Sequence, residues 1–193
     1  ARLYLVLETP LIDHLEQCLL IDTSSTVVEL ALTVLIMFLP HITSSLVPRL
    51  PKLFLIYSRI LCWDKLHIYD PTSRNTSIAD GSKSDDREDQ AAIDSTVAWA
   101  KLEHSFDNAE STTPNLIHFF TFLYGLFPLN FMSYVRKSRK FLKSVEFPGA
   151  DDLEFEQEMI RSRTEPFRQV HLLHPNFFQK TIEDELAENR WLK

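Results

Sequence analysis

The stretch Leu116–Lys143, LIHFFTFLYGLFPLNFMSYVRKSRKFLK, decides how the chain is read. It holds no charged residue before Arg136 and then carries Arg136, Lys137, Arg139, Lys140 and Lys143 within eight positions. On count alone, the uncharged run between Glu110 and Arg136 satisfies the roughly 20 residues that a membrane-spanning helix needs, and the basic flank imitates the positive-inside signal. Gly125, Pro128 and Asn130 nevertheless divide the run, and His118, Thr121 and Ser133 interrupt its apolar surface. The run 30–48 is also uncharged and is broken at Pro40. Two broken runs among amphipathic helices read as buried helix pairs. The alternatives are an integral membrane protein using runs 30–48 and 111–135, or a helical protein-interaction module with no lipid role.

Working towards the N-terminus, apolar residues recur at spacings of three and four from Leu3 to Leu20, which predicts a helix whose second half opens at Pro10 after a Thr9 cap. The segment from Asp22 has Ser/Thr caps, an apolar run and Pro40 as a stop, so it predicts a second helix central to the core. A third follows, with Pro48 and Pro51 in its first turns and a stripe of Leu46, Leu50, Leu53, Ile56, Tyr57 and Ile60. Residues 70–94 are rich in Ser and Asp and poor in large apolar side chains, which predicts a disordered insertion. It contains the sequon Asn75-Thr76-Ser77 and serines suited to phosphorylation. A short helix is expected around Thr96–Phe106, and Thr113-Pro114 is expected to cap the helix that opens the quoted stretch.

Composition agrees with this helical reading. The 193 residues are 45% hydrophobic, enough for the core of one domain, taken here as 1–193. Only three glycines occur, so hairpins and phosphate-cradling loops have little to be built from. The expected fold is all-α, an α-solenoid of antiparallel helices of the HEAT or armadillo kind, although no 40-residue period is visible. The start at Ala1, already apolar at helical spacing, reads as a piece of a larger array. A formal charge of -7 argues against nucleic-acid binding. Cys18 and Cys62 lack C-x-x-C spacing and read as reduced, buried thiols of a cytosolic protein.

Three motifs carry a resemblance. FLYGLFPLNFMSYVRK, residues 122–137, resembles the most distinctive stretch of the hamartin family, where a Leu-Tyr-Gly element, a Pro, Asn-Phe and an Arg recur in that order. EPFRQVHLLHPNFFQKTIEDELAENRW, residues 165–191, looks like the same family's next helix, its His-Pro turn and its closing Arg-Trp. LPKLFLIYSRILCWD, residues 50–64, is similar to a segment of fungal members. The resemblance covers Leu46–Trp63 and Thr113–Trp191. It implies a HEAT-like scaffold without catalytic activity or cofactor. Such proteins hold tuberin, a GTPase-activating subunit acting on the small GTPase Rheb, and restrain target-of-rapamycin signalling at the lysosomal or vacuolar surface. The coiled coil of the family is absent from this sequence, and a homodimer is a further option.

Catalytic chemistry finds little support. No Walker, dinucleotide or nucleophile-elbow motif occurs. His171 and His174, one turn apart, lack a third metal ligand and read as an ordinary helix end. Asp151, Asp152, Glu154, Glu156 and Glu158 read as a solvated acidic lead-in to the next helix. The functional candidate is the basic cluster. On one helix Arg136, Arg139, Lys140 and Lys143 share a face, and with Lys137 they make a docking patch for phosphoinositide-containing membrane. A solvated face partly paired with the acidic lead-in, and an acidic protein partner, are its competitors. A second patch is expected from Arg161, Arg163 and Arg168, or from Arg190 and Lys193.

Overall fold

In the computed structural model, residues 9–68, 113–148, 150 and 156–187 are described, and every regular element among them is helical. The predicted insertion at 70–94 with its sequon, the short helix at 96–106, the acids Asp151, Asp152 and Glu154, and the basic residues Arg190 and Lys193 all lie outside the described residues.

Helix α1 (Leu11–Ile21) begins after Pro10, as its fixed φ favours, and buries Ile12, Glu16 and Leu19. The expected first half of this helix lies outside the described residues. Helix α2 (Ser25–Phe38) starts where Ser24 accepts the Val27 N–H and ends two residues before Pro40, which sits in a 3₁₀ turn. It buries Val28, Ala31, Leu32 and Leu35, but Leu30 and Met37 remain about two-thirds exposed. α2 is therefore one-sided rather than central, packed among the described residues chiefly against α1 and α4 (Ile117–Leu126).

The centre is α3 (Leu50–Leu61), nine of whose twelve residues are buried. All six residues of the predicted stripe, from Leu46 to Ile60, are in the core. Each fully buried aliphatic or aromatic side chain of this kind is worth roughly 1.5–3 kcal/mol, so this helix anchors the fold. Arg59 is buried too: it donates to the carbonyls of Leu19 and Asp22, closing the end of α1, and its guanidinium lies 5.1 Å from the centre of the Trp63 ring. Burial lowers its pKa to about 10.

The quoted stretch forms three short helices rather than a long one. α4 ends at Leu126, Phe127 turns at φ -138°, and α5 (Pro128–Arg136) begins on the proline. Gly125 lies inside α4 in open space, so Pro128, not the glycine, makes the break. Thr113-Pro114 does not cap α4; the helix opens at Ile117, whose N–H is accepted by Asn115. At 14, 10 and 9 residues, α2, α4 and α5 do not cross a bilayer, and no described helix is long and apolar enough to do so.

Helices α3, α4 and α5 meet in an aromatic core. Phe131 lies 5.0 Å from Tyr57, 5.3 Å from Phe54 and 5.5 Å from Phe120, mostly in tilted or edge-on pairs that favour the ring quadrupoles. The hydroxyls that aromatic burial brings inside are satisfied. Tyr134 bonds Ser58 at 2.7 Å and Tyr57 bonds Thr164 of α7 (Gln157–Gln169) at 3.0 Å. Burial raises both phenol pKa values. Cys18 and Cys62 are free thiols, also raised by burial, Cys62 to about 11.

Candidate functional site

The basic cluster does not lie on one helix. Lys137 leaves the helical region at φ -149° and ψ 69°, ending α5 at Arg136 and starting α6 at Ser138 (Ser138–Ser144). The single shared face predicted for Arg136, Arg139, Lys140 and Lys143 is thus replaced by a corner. The cause is a side chain from α7. Gln157 Oε1 accepts the Ser138 N–H at 2.7 Å and the Ser138 hydroxyl at 2.9 Å, while its Nε2 donates to the Val135 carbonyl at 2.7 Å. One amide therefore satisfies an orphan donor of α6 and an orphan acceptor of α5, which offsets the cost of breaking the helix there.

Around this corner Phe141 and Leu142 are buried in the core, whereas Val145 is 41% exposed. Arg136, Lys137, Arg139, Lys140 and Lys143 are all exposed. Ser138 between them is buried, so the corner is held from beneath while its cations reach outwards.

A second closure fixes the other end of α5. Glu185, fully buried on the short helix α9 (Ile182–Leu186), accepts the N–H groups of Leu129 and Asn130 and the Asn130 side-chain amide, all at 3.0 Å. Asn176, at the start of α8 (Asn176–Gln179), donates to the same carboxylate at 3.1 Å. An anion here also answers the positive end of the α5 dipole. This role was hidden in the sequence, where Glu185 reads as one more acid of an acidic helix.

The second patch divides. Arg163, half-buried, is held by its own chain: it donates to the Leu61 carbonyl at 3.1 Å and pairs through both terminal nitrogens with the exposed Asp64. That guanidinium holds the Asp64 carboxyl below the ordinary range. Arg163 is therefore a tie between α7 and the end of α3 and leaves the predicted patch. Arg161 and Arg168 remain exposed on α7, Arg161 3.7 Å from Glu158 and Arg168 held by both oxygens of Glu165. Together with Arg136 they rim a single open groove of about 410 Å³ between α5, α7, α8 and α9.

His171 and His174 do not make a metal centre. α7 ends at Gln169, and His171 is bound between the Phe167 carbonyl at 2.7 Å and the Thr121 hydroxyl at 2.9 Å. The ring of Tyr124 lies between the two imidazoles, and no metal-ligating group of three occurs among the described residues. Of the acidic lead-in, Glu156 and Glu158 are exposed at the start of α7.

No family model matches the chain. Its sequence is 27% identical over 203 residues to the tuberous sclerosis 1 protein homolog of Schizosaccharomyces pombe, across all of this chain and 22% of that protein. A solved structure of the TSC1 N-terminal domain superposes with a TM-score of 0.70 at 38% identity, covering 99% of this chain and 43% of the other. The chain is a relative of hamartin. A structure of the TSC1 N-terminal domain with its linker domain agrees, with a TM-score of 0.67, 35% identity and coverage of 98% and 38%. The hamartin resemblance carried by residues 122–137 and 165–191 is thereby extended over the whole chain. This hamartin-type chain spans about a fifth of the curated relative and less than half of each solved chain.

Proposed function

We propose that this hamartin-type chain is part of a non-enzymatic scaffold, an α-solenoid whose exposed basic corner docks on phosphoinositide-containing membrane. The kinship with tuberous sclerosis 1 proteins supports the scaffold role, in a complex with a tuberin-type subunit that acts on Rheb and restrains target-of-rapamycin signalling. Contacts with tuberin are assigned to parts of the protein beyond this segment. The lysosomal or vacuolar surface is the expected place of work.

One observation carries the membrane reading: five basic side chains, Arg136 to Lys143, all exposed on a corner whose backbone is pinned by Gln157. Attraction to an anionic leaflet accumulates over neighbouring Lys and Arg residues, remains reversible and weakens with salt. The test is cosedimentation with liposomes, with and without phosphoinositides, at low and physiological salt. The comparison is a variant with Arg136, Lys137, Arg139, Lys140 and Lys143 changed to Glu. Salt-sensitive, phosphoinositide-dependent sedimentation, lost in the variant while its helical circular dichroism persists, is the expected result. Equal indifference of both proteins to lipid would sink the membrane role.

A further inference from the structure

The groove rimmed by Arg136, Arg161 and Arg168 differs in kind from the corner beside it. Its floor is apolar, formed by Leu129, Met132, Val135, Phe177 and Ile182, and it opens to solvent. Arg161 and Arg168 stand seven residues apart on α7, two helical turns or about 10 Å along its axis. Arg136 faces them across the groove from the end of α5. Glu165 holds Arg168 through two hydrogen bonds and Glu158 lies 3.7 Å from Arg161, so three arginines answered by two acids leave one positive charge in excess along the rim. Following α7 in the chain, Val170, Leu172 and Leu173 are 71%, 92% and 61% exposed. Contiguous exposed apolar surface with a polar rim marks a site of association.

We infer that this groove takes an amphipathic acidic helix of a partner protein, which lays Leu or Phe side chains on the floor and sets carboxylates, spaced seven apart, against Arg161 and Arg168. Three features select that partner. Guanidinium groups pair carboxylates bidentately, which suits acids held at fixed spacing. An apolar floor between helices receives side chains at i, i+3/i+4 and i+7, the pattern of a helix in a groove. A lipid headgroup is served better by the clustered cations of the α5–α6 corner, where no apolar floor lies among them. The inference is independent of the membrane reading and shares only Arg136 with it.

The test uses the 193-residue chain and a fluorescein-labelled helical peptide of about 15 residues with Leu and Phe on one face and Glu seven apart beside it. Fluorescence anisotropy is read at 0.15 M salt. Saturable binding is expected, weakened at least about tenfold by R161E with R168E and retained by K140E with K143E. Binding is also lost when the peptide's Leu and Phe become Ser. Because charge reversal beside Glu165 disturbs α7, R161Q with R168Q is measured in parallel, and each variant is checked by circular dichroism. Absent binding, binding indifferent to the arginine variants, or binding indifferent to the peptide's apolar residues each overturns the inference. So does a result in which R161Q with R168Q abolishes sedimentation with phosphoinositide vesicles and leaves peptide binding intact, which would assign the groove to membrane.

Discussion

Gln157 Oε1 accepts the backbone N–H of Ser138 at 2.7 Å, while its Nε2 donates to the Val135 carbonyl at 2.7 Å, so a side chain of α7 splices the ends of α5 and α6. The five exposed cations owe their arrangement to this one amide.

Replacing Gln157 by Ala leaves two largely enclosed backbone groups without partners. Each such group costs about 1–3 kcal/mol, so a loss near 2–3 kcal/mol is expected in urea unfolding. A Q157E change keeps the bond to Ser138 and loses the donor to Val135, so it should fall between the two.

Glu185 makes the matching closure at the start of α5. The E185A variant strands two backbone N–H groups and removes one partner each from the side-chain amides of Asn130, which keeps its bond to the Ile182 carbonyl, and Asn176, for an expected loss of about 3–5 kcal/mol, as for other broken buried charge networks. The exposed neighbour Glu183 supplies the control: E183A should alter stability by less than about 0.5 kcal/mol.

The buried bond between Tyr134 and Ser58 lends itself to a double-mutant cycle. Y134F orphans the Ser58 hydroxyl and should cost about 1–2 kcal/mol. Y134F with S58A removes both partners, so its cost should be well below the sum of the two single changes.

Asp64 predicts a pH dependence. Its carboxyl pKa is lowered from 3.8 by Arg163, so folding holds its proton less tightly than the unfolded chain does. The stabilisation is therefore complete above about pH 4 and disappears as pH falls through the lower folded-state value. Thermal unfolding of the wild type and D64N should differ at pH 7 and converge as pH drops below 3.8. A constant difference down to pH 2 would contradict the role given to this pair.

Much of the fold was legible in the sequence because it is local. The stripe from Leu46 to Ile60 announced which face of α3 is buried, Ser24 announced the start of α2, and Pro128 announced the break after α4. Legibility failed where a partner distant in sequence decided the outcome. The break at Lys137 has no Pro or Gly to signal it, since its cause is Gln157, twenty residues later. Arg163 read as a free surface cation because Asp64 lies 99 positions away. Nothing in the sequence singled out Glu185, because the helix end it closes lies 55 positions away.

The sequence by itself determined that the described segments are helical, where most of them stop, which faces are apolar, and that the chain is a hamartin relative. Those properties follow from side-chain periodicity, proline and capping chemistry within a few residues. Tertiary structure alone decided which charges are spent inside and which remain outside. A carboxylate or guanidinium costs much to bury unless a partner meets it, and that partner is supplied by packing helices remote in sequence. Packing thus consumed Arg59, Arg163 and Glu185, bent the basic cluster into a corner, and brought Arg136 to the same groove as Arg161 and Arg168.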